Sequence, residues 1–269
     1  DPQRQPADGP DELAGEGIGE PATEVIDYAV WMRRMDETRQ LDVLLEGGNV
    51  RIEDMCGLAQ ILAAFHQKAP VVREAEDWRD IHEEFRDLQS VTATLGDVLG
   101  KADRDRIRMV IANSRAFLRE RSGRIEARKA LGFVRDGHGD LHGRNVLMTQ
   151  PPVVFDCIEF SEAFRTLDVL SEIGFLCMDL ERYGRKDLSE AFLAAYTGAF
   201  PCMGHPADEE LLTFYKMYRA NVRMKVEALG LEGSASGAME WEEGPPVQRL
   251  KAYSALFLAY SRVLGLMGG

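Results

Sequence analysis

A chain of 269 residues, 45% hydrophobic and 29% charged, is long enough to bury a substantial core and has an ordinary globular make-up. Its formal net charge of -13 argues against nucleic acid as a partner, while tolerating a cationic small molecule. Four dispersed cysteines without a C-x-x-C pair, no apolar run near the roughly 20 residues of a membrane span and no visible signal peptide argue against zinc ribbons, disulfide scaffolds and membrane insertion; a reducing cytoplasm is expected.

Residues 1 to 22 are rich in Gly, Pro and acids and read as loop. EVIDYAVWMRRM (24 to 35) is β-branched and aromatic with partial alternation, which predicts a strand. Asp36 to Asn49 read as a connector ending in a Gly47-Gly48 turn. Ile52, Met55, Leu58, Ala59, Leu62 and Phe65 then share one stripe, so 51 to 68 predicts a packed helix. A shorter helix over 75 to 90 and a long, Arg-rich one over 102 to 131 follow. Next comes FVRDGHGDLHGRNVLMT (133 to 149), whose NVLM end faces VVFD (153 to 156) across Gln150-Pro151-Pro152 as a small hairpin. Helices are predicted at 168 to 182, 186 to 199, 208 to 229 and 246 to 265, with a soft segment from Gly230 to Pro246 and no internal repeat.

Two chemistries compete for the run at 133 to 149. GDLHG resembles the first metal-binding signature of calcineurin-like phosphatases, which require a bridging carboxylate, an Asn and several His ligands from later strand ends. After Asp140 and His142 no such runs follow, and the sole later histidine is His205. Extended to HGDLHGRN, the same run places Asn145 five positions after Asp140, the spacing of a kinase catalytic loop. There the Asp faces the substrate hydroxyl and the Asn holds Mg²⁺. Asp156, ending VVFD, stands where a second metal-binding Asp belongs. The chemistry needs this set: oxygen ligands hold Mg²⁺ against nucleotide phosphates, and a separate carboxylate takes the proton of the attacking hydroxyl.

HGDLHGRN, FDCIEF and RTLDVLSEIGFLCMDLERYG together resemble the aminoglycoside phosphotransferase and choline kinase-like family, of protein-kinase-like fold, over most of residues 24 to 230. The chain is most similar to the kinase-like part of bacterial proteins that join an aminoglycoside phosphotransferase domain to an ATP-binding domain. The resemblance implies an α+β fold: a remnant of the N-lobe plus hinge at 1 to 47, then a helical C-lobe at 48 to 269. It implies Asp140 as catalytic base, Asn145 and Asp156 as Mg²⁺ ligands, and Met32, Arg33 and Arg34 flanking the base of ATP or GTP. It further implies that His138 braces the loop and that Asp168 ties the next helix to it, although an N-cap role also accounts for that aspartate. The acceptor would be a small-molecule alcohol, sugar or amino sugar, held between the catalytic loop and the helices of 75 to 131. His142 and Glu159 are candidates to touch it, whereas Arg219 and Arg223, at i and i+4, read as a solvated face.

A kinase also needs a Gly-rich loop and a strand lysine over the phosphates. GEGIG (15 to 19) is set among Glu16 and Glu20, which would repel phosphate, and no lysine precedes Lys68. The expectation is a fragment, completed in the intact protein by an adjoining N-lobe segment and a C-terminal ATP-binding domain. The alternative is a non-catalytic nucleotide- or effector-binding module.

Overall fold

The computed structural model describes residues 34–74, 77–234 and 243–267. The chain divides into two compact units, Asp1–Met35 and Asp36–Gly269, so residues 36 to 47 belong with the helical unit. The strand expected at 24 to 35, with Met32 and Arg33, lies outside the described residues; Arg34 and Met35 are exposed and irregular.

After a 3₁₀ turn at Glu37–Arg39, the described elements begin with helices α1 (Leu41–Glu46), α2 (Ile52–Lys68), α3 (Trp78–Arg86), α4 (Thr92–Leu99) and α5 (Lys101–Ala130). Strand β1 (Val134–Asp136), a 3₁₀ turn at Gly143–Asn145, and strands β2 (Val146–Leu147) and β3 (Val153–Val154) come next. The chain continues through α6 (Glu162–Arg165), β4 (Thr166–Asp168), α7 (Val169–Arg182), α8 (Lys186–Ala199), α9 (Pro206–Ser234) and α10 (Pro245–Val263).

The apolar stripe predicted for α2 buries Met55, Leu58, Ala59 and Leu62, but leaves Ile52 and Phe65 exposed. Helix α3 starts at a reciprocal cap: Asp77 accepts from the Arg79 N–H, and Asp80 accepts from the Asp77 N–H. Pro245 and Pro246 open α10, where a missing N–H costs nothing. Helix α7 is the centre of the unit, buried at every position from Val169 to Leu180 and flanked by α8, α9 and α10. A helix enclosed all round must match each polar side chain with a partner. That demand on Glu172 and Asp179 shapes the site.

Three features depart from the sequence expectations. The connector of Asp36 to Asn49 contains α1, which lies against the 143–145 turn. The segment after the 75–90 helix carries α4. The third is an antiparallel pair of strands, β1 and β4, in register Val134↔Asp168 and Asp136↔Thr166. The hairpin does form, as β2 and β3, with Val146↔Val154 and Leu147↔Val153. The run from Gly137 to Asn145 therefore hangs between two short sheets, one of which leads directly into α7.

Candidate active site

The loop of 137 to 145 is held from beneath by two acids of α7. One Glu172 oxygen accepts from the backbone N–H groups of His138 (2.6 Å) and Gly139 (3.1 Å). Its other oxygen meets His66 Nε2 at 2.8 Å, and His66 Nδ1 meets the Tyr196 hydroxyl at 2.6 Å. Burial works to raise the Glu172 carboxyl, but the hydrogen bond and charge of His66, then His138, hold it below the usual carboxylate range. At the far end Asp179 accepts from the Gly143 N–H at 2.9 Å. Two glycines make the approach possible. A Cβ on Gly137 would stand 2.2 Å from a Glu172 oxygen; one on Gly139, at φ +85°, would stand 2.7 Å from the Phe164 carbonyl oxygen.

On this base Asp140 and Asn145 meet directly. Asn145 Nδ2 donates to the Asp140 carbonyl at 3.0 Å and to its carboxylate at 3.1 Å. His142 lies on the same carboxylate, Nε2 to Oδ2 at 3.2 Å. Because His142 Nδ1 accepts from the Arg144 N–H, its proton sits on Nε2, facing Asp140. Burial pushes the Asp140 carboxyl up. The His142 hydrogen bond, with the nearby Arg223 and Arg219, outweighs it and holds the group below its ordinary value. Asp140 is thus a carboxylate at neutral pH, half-buried, with one face turned to a cavity.

His138 braces the loop, its Nε2 donating to the Phe155 carbonyl at 2.7 Å and its Nδ1 accepting from the Asp140 N–H at 3.3 Å. Asn145 accepts at its backbone oxygen from the Phe155 N–H at 3.0 Å, which brings the following residue, Asp156, alongside the loop. Asp156 is exposed, has a left-handed backbone at φ 60°, and none of its oxygens is taken by a protein donor among the described residues. Glu159 is exposed and forms no part of the cavity wall. Asp168 does cap α7, accepting from the Leu170 N–H, yet its tie runs to the buried Arg128 of α5 (2.6 and 2.8 Å) instead of to the catalytic loop. The tie expected of Asp168 is made one turn later by Glu172. The available signal was a lone Glu inside VLSEIGFLCM, since a buried acid must have a partner.

The cavity has a volume of about 470 Å³ and lies between the loop, α3, α5 and α9. Its place beside 75 to 131 matches the expectation; the wall from α9 does not. There the solvated-face reading of Arg219 fails. Arg219 is 9% exposed, lies over the Phe175 ring (5.0 Å), and donates from Nη1 to the Gly139 carbonyl at 3.1 Å. No C-terminal helix was expected to reach the loop, because its distance in sequence hides the contact.

The profile of the Phosphotransferase enzyme family (APH) matches residues 13–208. Uncharacterised proteins of Mycobacterium bovis and of two Mycobacterium tuberculosis strains are each 29% identical over 268 residues, covering 94% of this chain and 50% of theirs. The chain thus spans about half the length of the curated relatives it matches. No solved structure matches it. Among the described residues, no helix is long and apolar enough to cross a membrane. With most of its length under one profile, the chain belongs to the aminoglycoside phosphotransferase and choline kinase-like phosphotransferase family, and its helical lobe with short paired strands is that family's kinase-like α+β fold.

Proposed function

We propose that this chain supplies the base and metal ligands of a nucleotide-dependent kinase that phosphorylates a small-molecule alcohol. One observation carries the reading: an ionised Asp140, fixed by His142 and Asn145, borders a cavity large enough for a sugar-sized molecule. The donor set suits Mg²⁺. Asn145 spends its Nδ2 on Asp140, which leaves its carboxamide oxygen as the ligand, and Asp156 offers an exposed carboxylate without a protein cation on it. Bound there, the ion would neutralise charge on the nucleotide phosphates.

The chain's own residues then do the following. Asp140 orients the acceptor hydroxyl and takes its proton as the new oxygen–phosphorus bond forms. The bond from the γ-phosphorus to the bridging oxygen breaks, and the nucleoside diphosphate leaves. His142 keeps the carboxylate in place and ionised, while Glu172 and Asp179 keep the loop from shifting under it.

The test is nucleotide consumption by the intact protein across a panel of alcohols, with Asp140→Asn as the control. Loss of the base is expected to lower turnover about 10²- to 10⁴-fold. Undiminished turnover in that variant refutes the assignment. Mg²⁺-dependent nucleotide binding without turnover on any alcohol would favour the non-catalytic module.

A further inference from the structure

The acceptor cavity is walled chiefly by hydrocarbon. Ile81, Ile125, Val134, Ile158, Leu167 and Val222 line it. Exposed apolar side chains lie around it too: Phe160 is 83% exposed and Phe164 51%, their rings edge to face at 6.2 Å, and the exposed Val226 of α9 is also in the wall. Large apolar side chains left in water around a cavity mark a place where an apolar body is meant to sit.

The position of one charge in the wall decides the sign of the partner. Three carboxylates line the cavity, and each accepts at least one hydrogen bond from the protein. Glu84 accepts from the Tyr218 hydroxyl, Asp168 is bound twice by Arg128, and Asp140 is held by His142 and Asn145. Two cations share the wall: Lys129, which is 3.2 Å from Glu126, and Arg219, which is differently placed. Arg219 is nine-tenths buried and forms no ion pair among the described residues. Its Nε has no hydrogen-bond partner, and its one hydrogen bond goes to the Gly139 carbonyl. Although the Asp140 carboxylate is near enough to feel its charge, a buried guanidinium with an unmatched N–H still has room for an acceptor.

Accepting the kinase reading above, we infer that the phosphate acceptor is an alcohol with an apolar body and an anionic group that Arg219 receives, not an amino sugar. The hydroxyl lies at Asp140, the hydrocarbon against the isoleucines and valines, and the anion at the guanidinium beside Gly139. An ammonium group in the same place would meet the like charge of Arg219.

The experiment measures binding to the intact protein without nucleotide, by calorimetry, so it does not depend on turnover. The probes are para-hydroxymethylbenzoate, para-methylbenzyl alcohol, para-aminomethylbenzyl alcohol and kanamycin. The benzoate should bind tightest, about tenfold or more tighter than the amine, with the neutral alcohol between them. Phe160→Ala, at an exposed site, should weaken all three aromatic probes about threefold or more through lost apolar contact. Arg219→Gln should erase the preference for the benzoate. Because Arg219 is buried, Val226→Glu in the wall gives an independent readout, weakening the benzoate and strengthening the amine. The inference is overturned if kanamycin or the amine binds tightest, if no aromatic probe binds below about 10 mM, or if the charge preference survives Arg219→Gln. Asp140-dependent phosphorylation of kanamycin would end this inference and leave the kinase reading standing; absence of transfer to any alcohol would end that reading even if the benzoate bound.

Discussion

Glu172→Ala would strand three buried donors at once. The Glu172 side chain is 1% exposed and receives the N–H groups of His138 and Gly139 together with His66 Nε2. Each orphaned buried donor costs about 1–3 kcal/mol, but the three share one network and their costs do not add in full. Three donors discounted for their shared network put the expected cost of alanine at about 4 kcal/mol. Glu172→Gln keeps an oxygen for the two loop N–H groups. Its amide can donate to His66 Nε2 if the imidazole proton moves to Nδ1, facing the Tyr196 hydroxyl, so about 1–2 kcal/mol is expected. Urea unfolding followed by helical circular dichroism measures both. Most domains have only about 5–15 kcal/mol to lose, so the alanine variant should show a large drop in midpoint. Equal costs for the two variants, or an alanine cost under about 1 kcal/mol, would refute the claim that this carboxylate anchors the loop.

Arg128→Met removes the guanidinium that binds Asp168, Asp208 and the Cys202 carbonyl, leaving the buried Asp168 carboxylate without its cation while Asp208 keeps Arg124; about 3–5 kcal/mol should be lost, read as a fall in urea midpoint. Gly139→Ala combines a positive-φ penalty of about 1–2 kcal/mol with a clash on the Phe164 carbonyl, and thermal unfolding should register at least that much. For Asp208, burial acts to raise the carboxyl, but Arg124, the Gly204 N–H, Arg128 and the His205 N–H hold it at about 2. A depressed folded-state value means that its stabilisation is complete above an unfolded value of about 3.9 and is lost as the pH falls towards 2. The stability gap between the parent and Asp208→Asn should accordingly narrow from pH 5 downwards; a constant gap would contradict it.

What the sequence disclosed was periodic or local. Helices α2, α5, α7, α8, α9 and α10 carry long stretches whose spacing or apolarity speaks for itself, and the hairpin announces its turn with Gln150-Pro151-Pro152. Helix α1 is six residues long and too brief to show a stripe. Strands β1 and β4 have three residues each and meet only because the intervening loop folds back, a pairing that no local pattern encodes. Asp140 and Asn145 were visible because they share one short run. Arg219 and Glu172 were not, because their roles depend on a neighbour brought close by tertiary packing. The reading of Arg219 as surface followed from its i, i+4 spacing with Arg223, which shows where side chains point on a helix but not what covers them.

Glu172 and Asp179 are seven residues apart on α7, two turns or about 10 Å, and they grip opposite ends of the 137–145 run. The rod that sets the reacting groups lends the cavity wall only Ser171, while most of the helical surface that borders the acceptor comes from α3, α5 and α9. Evolution can recarve those surfaces for a new alcohol while the spacing of the phosphate-transfer apparatus stays calibrated. A designer who wants altered selectivity has the same freedom.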